Sequence, residues 1–131
     1  MKKVMVFGTF DGLHDGHLNF FRQAKMLGDE LIVVVAKTAN VKRIKGKKPR
    51  FSENQRLEAV KAVKTVKIAI LGQIRDHYAV IKKLKPRIIA LGYDQHSFDG
   101  NLKKLFPEIK IIRLKPYRAE FYKSSLLNKI S

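Results

Sequence analysis

The sequence contains no cysteine among its 131 residues, so it can form neither disulfide bonds nor thiolate metal sites. It also has no apolar run that approaches the roughly 20 residues needed to cross a membrane. The apolar run that follows Lys2 and Lys3 is too short for the hydrophobic region of a signal peptide. These absences predict a soluble cytoplasmic protein without a membrane partner, and the length predicts one domain over residues 1–131.

Acidic residues are scarce: Asp and Glu number 11 against 28 Lys and Arg, which gives a formal net charge of +17. A field of this sign attracts polyanions, and a nucleic-acid-binding module is therefore one alternative function. Basic residues, however, occur along the whole chain, without an RNA-recognition signature, zinc-finger spacing or a basic region with heptads. We interpret most of the charge as a solvated surface and expect no nucleic acid partner; the basic cluster at 37–50 is a separate feature.

Short β-rich runs alternate with helical patterns along the chain. Strands are predicted at residues 3–7, 30–37, 66–71, 87–91 and 109–114. The first two are continuous apolar runs, as in strands that are covered on both faces. The alternation implies right-handed βαβ crossovers, and the fold class is therefore α/β: a Rossmann-like parallel sheet of about five strands with helices on both faces.

The predicted helices have recognisable ends. Gly28 stands where the C-cap of the first helix would be, and Ser52 with Gln55 predicts a capping box for the second. Further helices are predicted over 75–85, around 101–106 and from Ser124 or Ser125 onwards. Loops that follow strands, and that should line one crevice, are predicted at 8–16, 38–50, 92–99 and 115–124.

The first predicted strand leads into GTFDGLHDGH, residues 8–17. Its glycines allow the backbone to approach a ligand, and the helix that begins near Gly16 offers free N–H groups and a partial positive charge to an anion. The segment matches neither G-x-G-x-x-G nor the P-loop. His14 and His17 would replace the P-loop lysine as hydrogen-bond donors to one phosphate, whose charge grows in a transition state.

Two other interpretations of His14 and His17 are a metal pair and histidines that belong only to a turn. A metal pair requires a third ligand, and neither His77 nor His96 has a compelling spacing for it. The residues therefore favour a phosphate site and predict no metal held by protein side chains.

The pattern GTFDxxHxGH resembles the signature of the cytidylyltransferase-like nucleotidyltransferases, which are related to class I aminoacyl-tRNA synthetases. The resemblance covers nearly the whole chain, including AKMLGDELIVVVA, VKRIKGKKPRFSENQRLEAVKAV and LKPRIIALGYDQ. It implies one nucleotidyltransferase domain that transfers a nucleoside monophosphate from an NTP to a phosphorylated acceptor and releases pyrophosphate. Because such an acceptor is already an anion, catalysis would consist of alignment and charge neutralisation, without a general base.

The resemblance also implies roles for single residues. The predicted catalytic residues are His14 and His17 at the α-phosphate, with Lys45 and Arg118 as cationic contacts. The residues predicted to bind nucleotide are Gly8, Thr9, Phe10, Asp11, Gly16, Gly92, Asp94, Ser124 and Ser125. The residues predicted to contact the acceptor are Lys45, Arg56, Phe121 and Tyr122. Asp11 would orient a loop, approach Mg²⁺ or cap a turn.

Two segments bear on the substrates. RAEFYKSS, residues 118–125, is similar to the R-T-E-G-I-S-T-T segment of the cytidylyltransferases, but aromatic residues stand in its middle, which suit an isoalloxazine or adenine ring or a core position. Residues 67–99 are most similar to the archaeal-type FAD synthases in ILG, LKP and LGxDQxxFD.

The resemblance thus implies AMP transfer from ATP to FMN. The alternatives are a glycerol-3-phosphate cytidylyltransferase, which uses CTP, and a sugar-phosphate nucleotidyltransferase. We expect ATP in preference to CTP, a homodimer, and Mg²⁺ that is held mainly by the nucleotide phosphates and water.

Overall fold

The computed structural model describes residues 1–72, 78–92 and 100–115. In these residues all five predicted strands are present: β1 Lys3–Gly8, β2 Glu30–Val35, β3 Ile68–Leu71, β4 Ile88–Leu91 and β5 Lys110–Arg113. The helices are α1 Asp15–Lys25, α2 Thr38–Lys45, α3 Glu53–Lys61, α4 Tyr78–Leu84 and α5 Gly100–Leu105. The predicted helix that starts at Ser124 or Ser125 lies outside the described residues.

The strands form a parallel sheet in the order β3-β2-β1-β4-β5. The chain moves outward from β1 through β2 to β3, then returns to place β4 on the other side of β1. The topological switch point therefore lies between β1 and β4, and ligands of such sheets bind beyond the carboxyl ends of the strands at that point. The predicted fold class is confirmed.

Both faces of the sheet are covered by helices, which explains the continuous apolar runs of β1 and β2. Successive side chains of a strand point to opposite faces, so each run supplies two cores. The core shared with α1 and α3 includes Val4, Val6, Phe21, Ala24, Leu31, Val33 and Val60. The core shared with α4 and α5 includes Met5, Ile32, Val34, Val80, Ile81 and Leu102.

The capping box predicted for α3 is confirmed. The Ser52 hydroxyl accepts the Gln55 N–H at 3.1 Å, and the Gln55 side-chain oxygen accepts the Ser52 N–H at 2.9 Å. These two bonds satisfy backbone donors that the first turn of a helix otherwise leaves free. The start of α3 is thereby fixed at the position the sequence indicates.

Two expectations about local structure are wrong. The predicted loop 38–50 contains α2, which ends at Gly46 in the left-handed conformation with φ of 80°. The buried residues of α2 include the polar Asn40 as well as Val41. The apolar periodicity by which a helix is predicted is therefore weak in this segment.

Gly28 is not the C-cap of α1, because that position belongs to Met26. Gly28 instead permits a close approach: a Cβ at this position would lie 2.7 Å from the carbonyl oxygen of Lys2. No helix in the described ranges is long and apolar enough to cross a bilayer.

Candidate active site

The strands end together at one edge of the sheet. The Ala36 N–H donates to the carbonyl oxygen of Gly8 at 2.9 Å, which places the end of β2 beside the end of β1. On the other side of the switch point, the carbonyl oxygen of Gly92 after β4 accepts the Arg113 guanidinium at 2.8 Å. The GTFDGLHDGH segment leaves β1 at this edge, which is where a ligand of such a sheet binds.

His14 and His17 together cap the start of α1. His14 is the N-cap residue, and its ring Nδ1 accepts the Gly16 N–H at 3.0 Å. His17 stands three positions later, and its Nδ1 accepts the His14 N–H at 3.3 Å. The pair thus forms a capping box in which imidazole nitrogens act in place of the usual hydroxyl and carboxylate oxygens.

The capping bonds determine which ring nitrogen carries the proton. Because Nδ1 of each ring accepts a hydrogen bond, each neutral ring is protonated at Nε2 and can donate from that atom. The rings stack at 3.9 Å between centroids, with 28° between their planes. His14 and His17 are therefore turn residues and also a pair of oriented donors; the two interpretations are compatible.

His17 is neutral at physiological pH. Burial, and next the positive charge of a protonated His14, lower the pKa of His17 to about 4. Its ring and the buried Phe10 ring form a T-shaped pair, with 5.4 Å between centroids. A neutral imidazole donates a hydrogen bond without carrying charge into the resting site.

Phe10 supports the turn from inside the core. Its backbone has a positive φ of 54°, and its ring lies over Gly8, where an added Cβ would stand 2.5 Å from the Phe10 Cζ. Only glycine leaves room for this ring at position 8. The Phe10 side chain is 5% exposed, so any contribution of Phe10 to nucleotide binding falls to its backbone.

Asp11 fastens the turn to the segment that precedes α3. Its two carboxylate oxygens accept the N–H groups of Arg50 at 2.7 Å and Phe51 at 2.9 Å. These bonds, that from Arg50 foremost, lower the pKa of Asp11. Gly12, with φ of 90°, lies against both residues: an added Cβ would be 2.9 Å from the Arg50 Nη2 and 3.3 Å from the Phe51 ring. Of the roles predicted for Asp11, the structure shows that of orienting a loop.

Arg56 is a structural brace, which corrects the prediction that it contacts the acceptor. It is 1% exposed, and Nη1 of its guanidinium donates to the carbonyl oxygens of Thr9 at 2.9 Å and Ala36 at 2.7 Å. Its other bonds go to the Phe51 carbonyl and the Thr38 hydroxyl, at 3.2 Å each. Burial lowers the pKa of Arg56, with the nearby carboxylates acting in the opposite sense. The guanidinium thus joins the ends of β1 and β2 to α2 and α3. Its N–H groups donate to acceptors of the protein itself.

The sequence does contain a signal for this brace. Arg56 lies four positions before Val60 on α3, and Val60 is buried, so both residues face the core. A buried arginine must have its donors satisfied, and the carbonyl groups at the ends of parallel strands can provide the acceptors.

The structure describes only some of the other residues that were predicted for the site. Lys45 is exposed in the last turn of α2, a helix about 12 Å long that starts at the carboxyl edge, and the structure brings it into no contact with the histidines. The Thr9 carbonyl and the Gly16 N–H belong to the bonds described above. Six predicted residues lie outside the described part of the chain: Asp94, Arg118, Phe121, Tyr122, Ser124 and Ser125. The same is true of His77 and His96, whose spacing in the sequence did not predict metal ligands.

Comparison with known proteins agrees with this geometry. The model of the cytidylyltransferase-like family matches residues 5–129. The chain is 45% identical over 119 residues to the FAD synthase of Archaeoglobus profundus, across 88% of this chain and 76% of the relative. It is also 40% identical to the FAD synthase of Thermoplasma acidophilum in an alignment of 133 positions, which covers 98% of this chain and 93% of the relative.

A solved structure is also similar. The crystal structure of the lipopolysaccharide core biosynthesis protein from Thermoplasma volcanium matches with a TM-score of 0.82 and 43% identity. The match covers 89% of this chain and 98% of that protein. Since the family model spans nearly the whole sequence and its relatives share the fold, this chain belongs to the cytidylyltransferase-like family and is a nucleotidyltransferase.

Proposed function

We propose that this protein transfers AMP from ATP to FMN, which yields FAD and pyrophosphate. The observation that carries the proposal is the 40% to 45% identity to FAD synthases over 88% to 98% of the chain. The HxGH turn at the switch point supports it, because that is where an α-phosphate would meet two oriented donors.

The reaction that we propose needs no side-chain nucleophile. A phosphate oxygen of FMN forms a bond to the α-phosphorus of ATP, the bond from that phosphorus to the β-bridging oxygen breaks, and pyrophosphate leaves. The FMN phosphate is already anionic, so no proton has to be removed from it. The protein would act by aligning the two phosphates and by stabilising negative charge as it moves to the leaving group.

The Nε2–H groups of His14 and His17 are the proposed donors to the α-phosphate. The start of α1 adds its partial positive charge, and the capping bonds hold both rings before the substrate arrives. Donors fixed in advance are most useful where charge develops, because they need no reorganisation during the reaction.

The other binding roles are proposals of the same kind. Lys45 and Arg118 would contact the triphosphate or the acceptor, and Asp94 would border the base or the acceptor. The nucleotide would also meet the backbone of Gly8, Thr9, Phe10, Gly16 and Gly92 and the hydroxyls of Ser124 and Ser125. Phe121 and Tyr122 would pack against a flat ring.

Mg²⁺ would be bound mainly by triphosphate oxygens and water, and it would neutralise phosphate charge. The donor set fits this arrangement. Among the described residues no three His, Asp or Glu side chains are grouped as metal ligands, and both oxygens of Asp11 already accept backbone N–H groups. We further propose a cytoplasmic homodimer that prefers ATP to CTP; sedimentation would test the dimer.

A matrix of pyrophosphate-release assays tests the proposal. ATP and CTP are each combined with FMN, glycerol 3-phosphate and several sugar phosphates. We expect release with ATP and FMN together and a product with the mass of FAD. Turnover confined to CTP and glycerol 3-phosphate would refute FAD synthesis and leave the family assignment intact. Salt-sensitive DNA binding without turnover on any pair would favour a nucleic-acid-binding module.

A further inference from the structure

A cleft of about 350 Å³ opens at the amino edge of the sheet, on the opposite side from the histidines. Leu27, Ile88 and Ile112 form its apolar floor, and Lys2, Arg87 and Lys110 form its rim. The rim residues stand at or next to the first residues of β1, β4 and β5. The volume lies at the lower end of the range of small-molecule sites, about 300–1,000 Å³.

The rim carries the positive charges of three basic side chains. The side chains of Lys2, Arg87 and Lys110 are exposed, and none has an ion-pair partner among the described residues. Neither Asp nor Glu is among the residues that line the cleft. The nearby Asp29 carboxylate accepts the backbone N–H of Lys2 at 2.7 Å and does not line it either.

The sheet holds the backbone of these cations in place. The Arg87 N–H donates to the Lys3 carbonyl at 3.0 Å, and the Lys110 N–H donates to the Arg87 carbonyl at 3.1 Å. Since neighbouring strands are about 4.8 Å apart, the three rim positions span about 10 Å. Like charges on neighbouring strands repel one another, and a bound anion would relieve that repulsion.

We propose that this cleft binds a small organic anion that carries an apolar group. The rim would pair with a phosphate, sulfonate or carboxylate, and the floor would cover the apolar part. Charge complementarity and the apolar floor both favour such a ligand over a nucleic acid, which needs a wider cationic surface and no apolar floor. The site goes beyond the proposed function, because it lies at the other edge of the sheet.

The test is a fluorescence titration of the full chain with 8-anilino-1-naphthalenesulfonate, an anion with an apolar body. We expect saturable binding that saturating ATP does not displace. The triple variant Lys2→Gln, Arg87→Gln and Lys110→Gln should bind about tenfold more weakly, because it keeps the floor and loses the rim charge. The control Lys82→Gln, Lys83→Gln and Lys104→Gln removes the same charge from exposed positions on α4 and α5, and we expect a change of less than about twofold.

Amide chemical-shift mapping locates the probe. Shifts at Lys2, Ile88 and Lys110, with none across Gly8 to His17, would support the site. Absence of saturable binding would refute it, as would displacement by ATP or equal weakening in both triple variants. If the rim variant does not fold, Arg87→Gln and Lys110→Gln are tested singly, each with an expected weakening of about threefold. A DNA oligonucleotide that binds at the rim while the sulfonate does not would also overturn the proposal.

Discussion

The backbone N–H of His14 donates to Nδ1 of His17 at 3.3 Å, and the two imidazole rings stack 3.9 Å apart. This one relationship joins a folding role to a chemical one. The Nδ1 atoms accept backbone N–H groups and so fix the start of α1. The Nε2–H groups stay available to a phosphate. Variants that separate the two nitrogens can therefore separate stability from catalysis.

His14→Asn and His14→Gln provide that separation. Asn is a good N-cap whose Oδ1 can replace Nδ1, but its side chain is too short to replace the Nε2–H. We expect His14→Asn to keep the free energy of unfolding within about 0.5 kcal/mol and to lower kcat by about 100-fold or more. Gln reaches the Nε2 position but is a poor cap, so His14→Gln should lose about 1 kcal/mol of stability and retain more activity. Urea unfolding and pyrophosphate release measure the two quantities, and full turnover in His14→Asn would contradict the phosphate role.

The protonation of His17 provides a second prediction. We expect the neutral form of both rings to be the Nε2–H tautomer, since Nδ1 of each accepts a backbone N–H. We expect His17 to titrate near pH 4, since burial lowers its pKa. Long-range ¹H–¹⁵N spectra across a pH series measure both properties. Titration of His17 near its ordinary pKa of 6.5 would show that the half-buried ring and its contact with Phe10 are not as described.

The same shift makes stability depend on pH. In the unfolded chain His17 has its ordinary pKa of 6.5, so between that value and about 4 the unfolded state binds more protons than the folded state. The contribution of His17 is therefore fully present above pH 6.5 and is lost as the pH falls towards 4. It is on the order of 1 kcal/mol, because solvent screens a half-buried ring. The difference in unfolding free energy between the protein and His17→Gln isolates it, and a difference that does not vary with pH would refute it.

The fold was predictable from the sequence to a greater degree than the site. The strands are apolar runs between helical patterns, and α3 begins at the capping box of Ser52, so local signals suffice. α2 was not predicted, because the polar Asn40 occupies a buried position and interrupts the apolar pattern.

In the site, the motif indicated that His14 and His17 act together. It did not indicate that Nδ1 of each ring accepts a backbone N–H, because that depends on the backbone conformation of the turn. The contact between Asp11 and the segment before α3 joins residues 39 and 40 positions apart, and no local pattern encodes such a distance.

Arg56→Lys tests the brace. A lysine cannot reproduce a fork that reaches the carbonyl groups of Thr9 and Ala36 and the Thr38 hydroxyl together. We expect a loss of about 2–4 kcal/mol of stability, because buried carbonyl groups lose their donors. We also expect a higher KM for the nucleotide, because the turn after β1 loses an anchor. Arg22→Lys on the exposed face of α1 is the matched control and should change stability by less than about 0.5 kcal/mol. Equal melting curves for the two variants would contradict the brace.

Asp11→Asn tests the attachment of the turn to the segment before α3. An amide offers one acceptor oxygen and places an NH₂ group against the other backbone N–H, so one of the bonds from Arg50 and Phe51 must be lost. We expect hydrogen exchange at these two amides to become about tenfold faster or more, and KM for the nucleotide to rise with a smaller change in kcat. Asp15→Asn, in the exposed first turn of α1, is the matched control and should leave both amides protected.

The hydrogen bonds from the Arg50 and Phe51 amides to Asp11 should be lost at low pH. The hydrogen bonds lower the pKa of Asp11 below its ordinary value of 3.8, so the carboxylate and its bonds are present above that value. Protection of the Arg50 and Phe51 amides should persist through pH 4 and disappear only as the pH falls through the lower folded pKa. In Asp11→Asn the exchange rates, corrected for intrinsic exchange, should show no such step. Because the two amides belong to the segment that Asp11 holds against the turn, loss of the step together with a raised KM would tie that attachment to nucleotide binding. Unchanged KM in a variant whose amides exchange freely would restrict Asp11 to a structural role.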